Sequence, residues 1–348
     1  MKGKKHITLK DMAEALGVSI PTVSRALKDS PEISPAMRAK VQQLAKDMNY
    51  HPNPFALSLR KNRVHAIGVI IPDMDSYFYS SVLMGVEDTA RANGYFIIAT
   101  SSHESYDLEK ENVENLVNMR VEGIIACQTQ ETTDYAHFAA LTDIDMPLVL
   151  YDRVCLTDTF PSVVSDGEHS AMLATQHLID CGCRRIAFIG DSNHMGIVKF
   201  RKHGYLEALR ENKIPIRREY VICRRINYDE GKRAMETLLA LPEPPDAVIT
   251  IIDMIAFGIM DVIKSHGLRI PEDIAIIGYS DEQHATIVEP KLSSVSQQTY
   301  KMGQEACRLL IKRIGGDMKV RQIVIPAIIK IRGSSMKKRK AAKNGDGT

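Results

Sequence analysis

The sequence has no apolar run near the ~18 residues that a membrane-spanning helix needs. No apolar segment of the secretory kind follows the basic start Met1-Lys2-Gly3-Lys4-Lys5-His6. Neither a bilayer span nor an export signal is therefore expected. The six cysteines (Cys127, Cys155, Cys181, Cys183, Cys223 and Cys307) follow no framework spacing, and Cys181-Gly182-Cys183 is too tight for a C-x2-C half-site. Free, mostly buried thiols in a reducing cytoplasm, with no metal site, are the expectation. GxSxG and HExxH are absent, and Gly190-Asp191-Ser192 lacks the glycine-rich setting of a phosphate loop. His169, His177 and His194 are scattered. These gaps argue against an enzyme, and no cofactor is expected.

What the chain does have is an uneven distribution of charge. Its formal net charge is only +2, but residues 1–63 hold 12 Lys/Arg against 5 Asp/Glu, and residues 333–348 hold 5 against 1. The middle is therefore about −9. A basic end on an acidic body suits a protein that offers only its N-terminal module to a polyanion. With 348 residues, more than one domain is expected.

Residues 8–48 read as three short helices. Thr8 and Asp11 form a short-armed capping box ahead of an apolar face of Leu9, Met12, Ala13 and Leu16. Gly17 provides the left-handed stop, Val18 continues the apolar seam, and Ser19 caps a second helix whose inner face is Val23, Ala26 and Leu27. Ser34-Pro35 opens a third helix that buries Val41, Leu44, Ala45 and Met48. Any small helical domain could show this pattern, but the polar face of the second helix is more specific. Ile20, Pro21, Thr22 and Arg25 stand at its N-terminal end, where a recognition helix meets base edges. Arg25 suits guanine O6 and N7. Thr8, Ser19, Thr22 and Ser24 are short groups suited to phosphate oxygens.

The segment Tyr50-His51-Pro52-Asn53-Pro54 reads as a break, followed by Phe55-Ala56-Leu57-Ser58-Leu59-Arg60-Lys61. This stretch is too short for a stable isolated helix, but it could fold on binding. Ala56 and Leu59 share a face, and a leucine there could wedge between base steps from the minor groove. A plain tether with incidental leucines is the alternative.

From residue 65 onward, apolar runs alternate with helical patterns in two successive series. This implies two α/β lobes of parallel strands covered by helices. Ligands of such sheets sit beyond the carboxyl ends of the strands. Asp73, Asp75, Gln128, Asp152, Arg153, Asp191, Asp253 and Asp281 cluster at those ends, and Arg201 lies in the helix after the 185–190 strand. Carboxylates and a guanidinium suit a polyhydroxylated ligand, and Tyr77 and Phe78 could cover one face of a ring. Taken singly, loop aspartates more often cap helices or form turns.

The runs VSIPTVSRAL, NYHPNPFALSLR, Asp152-Arg153 after PLVLY, DGEHSAMLATQHLIDCGCRRIAFIGD and IAIIGYSDE together resemble the LacI/GalR family of bacterial transcriptional regulators, to about residue 333. The resemblance implies a helix-turn-helix head (1–51), a hinge helix (52–63) and a periplasmic-binding-protein-like body (64–333), leaving a disordered basic tail (334–348). Lobe 1 would comprise about 64–165 and 294–322, and lobe 2 about 166–293 and 323–333, with crossovers near 165, 293 and 323. Ile20, Pro21 and Arg25 would read bases, while Asn53, Ala56 and Leu59 would form the hinge, with Leu59 as the wedge. Arg201 (in VKFRKHGY), Asp253 (in TIIDMIAFG) and Asp152 would contact the effector. The chain departs from the family at Pro21, often polar or small in relatives, and at Ile252, usually asparagine. Proline is tolerated at a helix start but cannot donate to a base, so readout there should rest on shape and methyl contacts.

The implied function is a homodimeric repressor on a near-palindromic operator, controlled by a sugar or related metabolite through cleft closure and ordering of the hinge. An activator or a global regulator answering to a phosphoprotein is the alternative. A solute-binding protein shares the two-lobed body but not the basic head.

Overall fold

The computed structural model describes residues 7–50, 65–191, 196–223 and 227–337. The chain divides into two compact units, Met1–Val64 and His65–Thr348. Asn53, Ala56 and Leu59, the expected hinge residues, lie outside the described residues.

The first unit contains α1 (Leu9–Leu16), α2 (Ile20–Ala26) and α3 (Pro35–Asp47). The capping box is complete: the Asp11 N–H donates to Thr8 Oγ1 at 3.2 Å, and the Thr8 N–H donates to Asp11 Oδ2 at 2.8 Å. Gly17 ends α1 at φ 64°, where only a residue without Cβ sits free of strain. Met12, Ala13, Val23, Ala26 and Val41 form the centre of the core, ringed by Leu9, Leu16, Val18, Leu27, Leu44, Ala45 and Met48. All the apolar positions picked out by periodicity are in this cluster. Ile7, Ile33, Met37 and Tyr50 also join it.

The second unit has two sheets. In chain order its elements begin β1 (Ala66–Ile71), α4 (Tyr77–Ala92), β2 (Phe96–Ser101), α5 (Tyr106–Asn118), β3 (Gly123–Ala126), α6 (Ala136–Ala139), β4 (Leu148–Tyr151) and β5 (Ser162–Ser165). There follow α7 (Gly167–Asp180), β6 (Ile186–Gly190), α8 (Gly196–Glu211), β7 (Val221–Cys223), α9 (Tyr228–Leu239), β8 (Ala247–Thr250), α10 (Asp253–Ser265) and β9 (Ala275–Tyr279). The chain closes with β10 (Ser293–Ser296), α11 (Thr299–Ile314), β11 (Gln322–Ile325) and β12 (Ile328–Lys330). One sheet has the order β11-β5-β4-β3-β1-β2, with every pair parallel. The other has the order β12-β10-β9-β8-β6-β7, parallel except for the antiparallel β10/β12 edge. Uninterrupted apolar strands such as Ala66–Ile71 are buried along their whole length, as expected of sheets covered on both faces.

The lobe boundaries differ slightly from those expected. β10 pairs with β9 in lobe 2, and β11 pairs with β5 in lobe 1, so the crossovers fall near 166, 297 and 326. Strand pairing decided this, and apolar pattern could not. Two hydrogen bonds tie the three crossovers together: Gln297 Nε2 donates to Ser165 Oγ at 3.2 Å and Gln298 Nε2 to the Pro326 carbonyl at 2.6 Å.

Residues 334–337, expected to belong to the tail, are instead part of the fold. Ser334 and Ser335 are fully buried. Ser334 Oγ accepts from the Ser293 N–H at 2.8 Å and donates to the Ile276 carbonyl at 2.7 Å, and Ser335 Oγ bonds Ser293 Oγ at 2.7 Å. Lys337 Nζ donates to the Asp273 carbonyl at 3.2 Å. Short hydroxyl side chains satisfy buried backbone groups here, a role that low apolar content conceals. All six cysteines are unpaired thiols. Among the described residues, no helix is long and apolar enough to cross a membrane.

Candidate functional site

The head offers one candidate surface. Ser19 caps α2 by accepting from the Thr22 N–H at 3.3 Å, and the two hydroxyls lie 2.8 Å apart. Ile20, Pro21 and Arg25 are exposed on α2. Arg25 Nη1 pairs with Glu32 Oε2 at 2.7 Å. Ser24 is only 8 % exposed, which corrects its assignment to phosphate: it lies three residues before Leu27, on the side of α2 that packs inward. The Thr8 hydroxyl proton is directed at Asp11 Oδ2, 2.7 Å away.

The second candidate is a cavity of about 170 Å³ between the two sheets of the body. Its walls come from segments following strand carboxyl ends: Asp73 after β1, Gln130 after β3, Asp152 and Arg153 after β4, Ile251 and Ile252 after β8, Ser280 and Glu282 after β9, and Gln297 after β10. The beginnings of α4 and α8 complete it. The parallel topology brings these separate loops together.

On the lobe 1 wall, Arg153 Nη1 donates to both Glu104 oxygens, at 2.9 and 2.8 Å, and its guanidinium lies 5.8 Å from the Tyr79 ring centre. Glu104 also accepts the Gln130 N–H at 2.8 Å. Asp152 adopts a left-handed backbone (φ 57°), which aspartate tolerates better than most residues. Burial raises its pKa, against the pull of Arg201 and Arg153. On the lobe 2 wall, Arg201 is only 5 % exposed. It donates from Nη1 to the Ile251 carbonyl at 2.8 Å and stacks 4.0 Å from the Tyr279 ring centre. Ile197, Val198, Ile251 and Ile252 give this wall an apolar floor. Asp152 Oδ1 and Arg201 Nε are both sealed from solvent without a hydrogen-bond partner among the described residues.

Of the expected effector residues, Asp73, Phe78, Asp152 and Arg201 line the cavity, whereas Tyr77, Gln128, Asp253 and Asp281 do not. Tyr77 is exposed at the start of α4. Gln128 Nε2 is taken by the Thr132 carbonyl at 3.1 Å, and Asp281 pairs with Arg332 at 2.5 Å. Asp253 is fully buried, accepting from Ser294 Oγ at 2.7 Å and from the Glu282 N–H at 2.8 Å. A Cβ on Gly278 would lie 2.0 Å from Asp253 Oδ1, so this seat exists only because residue 278 is glycine. Burial pushes the Asp253 carboxyl up to about 8. Glu104, Gln130, Glu282 and Gln297 also line the cavity, and none of them is marked out by the sequence. The strand-end rule already pointed to their loops, but not to which side chain in each would reach the cavity.

Comparison with known proteins identifies the family of both units. Residues 8–53 match the model of bacterial regulatory proteins, lacI family, and residues 175–335 match a periplasmic binding protein-like domain. Catabolite control protein A of Priestia megaterium is 34 % identical over 336 residues, covering 95 % of this chain and 99 % of that protein. The transcriptional repressor CytR of Escherichia coli K12 is 30 % identical over 319 residues, covering 91 % of this chain and 93 % of CytR. Among solved structures, the lac repressor dimer bound to operator and an anti-inducer matches with a TM-score of 0.84 at 25 % identity, covering 95 % of this chain and all of that one. The regulator CelR in complex with cellobiose matches at 0.72 and 28 % identity, covering 94 % and 99 %. These regulators are not enzymes, and the chain belongs to the LacI/GalR family of bacterial DNA-binding transcriptional regulators.

Proposed function

We propose that this protein is a homodimeric repressor of a near-palindromic operator whose affinity for DNA is set by a small polyhydroxylated metabolite, a sugar or a relative of one, held in the cavity between the lobes. The observation that carries the reading is the pair of orphaned polar atoms on opposite walls. Asp152 Oδ1 is a sealed acceptor and Arg201 Nε a sealed donor. Leaving such groups unpaired costs about 1–3 kcal/mol each, and both belong to cavity-lining side chains, so a side-chain adjustment that turns them to a ligand with vicinal hydroxyls relieves both. Phe78 and the isoleucine floor supply the apolar face against which a sugar ring packs.

In the head, Ile20 and Pro21 meet thymine methyls and groove shape, Arg25 is the polar reader, and Ser19 and Thr22 hold phosphates. Asn53, Ala56 and Leu59 retain their hinge role on sequence resemblance. Relatives described as a repressor, as a dimer on its operator and as a cellobiose complex support this reading.

The test is selection of bound duplexes from a random pool, followed by titration of the recovered site with and without candidate sugars and nucleosides. Enrichment of a near-palindrome whose affinity shifts with one compound is expected. Failure to enrich any sequence, or an affinity that no compound alters, would reject the proposal. Leu59→Ala should weaken operator binding while leaving fold and dimerisation intact.

A further inference from the structure

We infer that the cleft accepts only a polyhydroxylated ligand without negative charge, and that Glu282 contacts it from a position set by Asp253. This rests on reading the cavity as the effector site. Four carboxylates line the space (Asp73, Glu104, Asp152 and Glu282) against two guanidiniums, Arg153 and Arg201. Each guanidinium already faces a carboxylate of the same cavity. Arg153 donates from Nη1 to both oxygens of Glu104. Arg201 is held by the Ile251 carbonyl and the Tyr279 ring, and Asp152 is close enough to feel its charge.

The helix starts at Ser76–Tyr79 and Ile197–Val198 also reach the cavity and favour anions. Each contributes roughly half a positive charge. That is less than the carboxylate excess. A phosphate or carboxylate ligand would add its own charge to that excess and meet like-charge repulsion.

Glu282 is only 8 % exposed and lies in the cavity wall, with no hydrogen-bond partner for its carboxylate among the described residues. An acceptor of that kind calls for a donor from the ligand, such as a hydroxyl or an amine. Its backbone N–H is fixed by Asp253 Oδ2 at 2.8 Å, and Asp253 is fixed in turn by Ser294 and by the space at Gly278. Asp253 is thus a positioning residue behind the wall.

The full chain is to be titrated, by thermal unfolding and calorimetry, with matched sets: D-glucose, D-glucosamine, D-glucose 6-phosphate and D-glucuronate; D-ribose and ribose 5-phosphate; adenosine and adenosine 5′-monophosphate. Whichever set binds should do so through its uncharged or amino member, with the anionic member at least tenfold weaker. Glu282→Gln should weaken that member at least fivefold. Asp253→Asn should weaken it less, and the double variant should be no weaker than Glu282→Gln alone. Asp73→Asn, on the lobe 1 wall, should narrow the discrimination against anions and covers the case in which Glu282→Gln does not fold. An anionic member binding better than its parent, or a folded Glu282→Gln protein with unchanged affinity, overturns the inference while leaving the cleft a ligand site. Silence from every uncharged and anionic member instead overturns the effector reading beneath it.

Discussion

The two walls of the cleft are built from the same kind of sheet but handle charge differently. On the lobe 1 wall, Glu104 and Arg153 neutralise one another, and Gln130 is anchored to the same carboxylate. On the lobe 2 wall, the charges stand apart: Arg201 leans on a ring and a carbonyl, and Glu282 has no cationic partner among the described residues. The Glu104–Arg153 pair is electrostatically quiet, while Asp152 Oδ1 on the same wall keeps unmet hydrogen-bonding capacity. A wall with separated charges over an apolar floor retains unmet hydrogen-bonding capacity for a ligand. The comparison teaches that affinity should respond to Asp152, Arg201 and Glu282, and stability of the cavity chiefly to the Glu104–Arg153 pair.

The largest effect expected from breaking this contrast comes from Glu104→Ala, which strands Arg153 as a mostly buried cation. A loss of about 3 kcal/mol in urea unfolding is expected, and a loss below 1 kcal/mol would show that the pair is not what quiets lobe 1. Helix packing offers a matched pair of sites, one per lobe. A Cβ on Gly303 would meet the Val82 carbonyl at 2.0 Å, and one on Gly204 the Glu168 carbonyl at 2.0 Å. Gly303→Ala and Gly204→Ala should each cost about 2 kcal/mol. Equal costs would indicate that the lobes differ in their walls and not in their frames.

Arg201→Lys removes the planar stack on Tyr279 and the Nε donor. A roughly tenfold loss of ligand affinity, about 1.4 kcal/mol, is expected by calorimetry, with little change in the unliganded melting temperature. Asp253 gives the smallest effect per step. Its folded-state pKa of about 8 lies above the ordinary 3.8, so the folded state holds a proton that the unfolded state releases. This contribution is fully present below about pH 4 and declines towards pH 8, at up to roughly 1.4 kcal/mol per pH unit. Asp253→Asn should flatten that part of the stability–pH curve. An unchanged slope would mean that Asp253 is ionised in its seat.

The head was almost wholly legible in the sequence because its determinants are local. The Thr8–Asp11 box, Gly17, Ser19 and Ser34-Pro35 act within three or four residues of where they are written, and the apolar positions repeat with the helix. Ser24 escaped because its chemistry points outward while its place on α2 faces inward. In the body, alternation located the strands and helices, yet the β10 and β11 assignments depended on pairing between residues far apart in the chain.

The candidate site divides in the same way. Asp73, Asp152 and Arg201 could be picked out because a strand end or a family motif marks them. Asp253 and Asp281 carry equally strong marks but are held by Ser294 and Arg332. Glu282, one residue beyond Asp281, takes the wall instead. By itself the sequence determined the three-helix head, the two series of buried strands and the ring of polar residues at their ends, since caps, periodicity and charge balance are properties of neighbouring residues. Only the tertiary structure decided which of those polar groups face the cavity and which are already satisfied, because a hydrogen bond between residues 253 and 294, or an ion pair between 281 and 332, exists only once the sheet has brought them together.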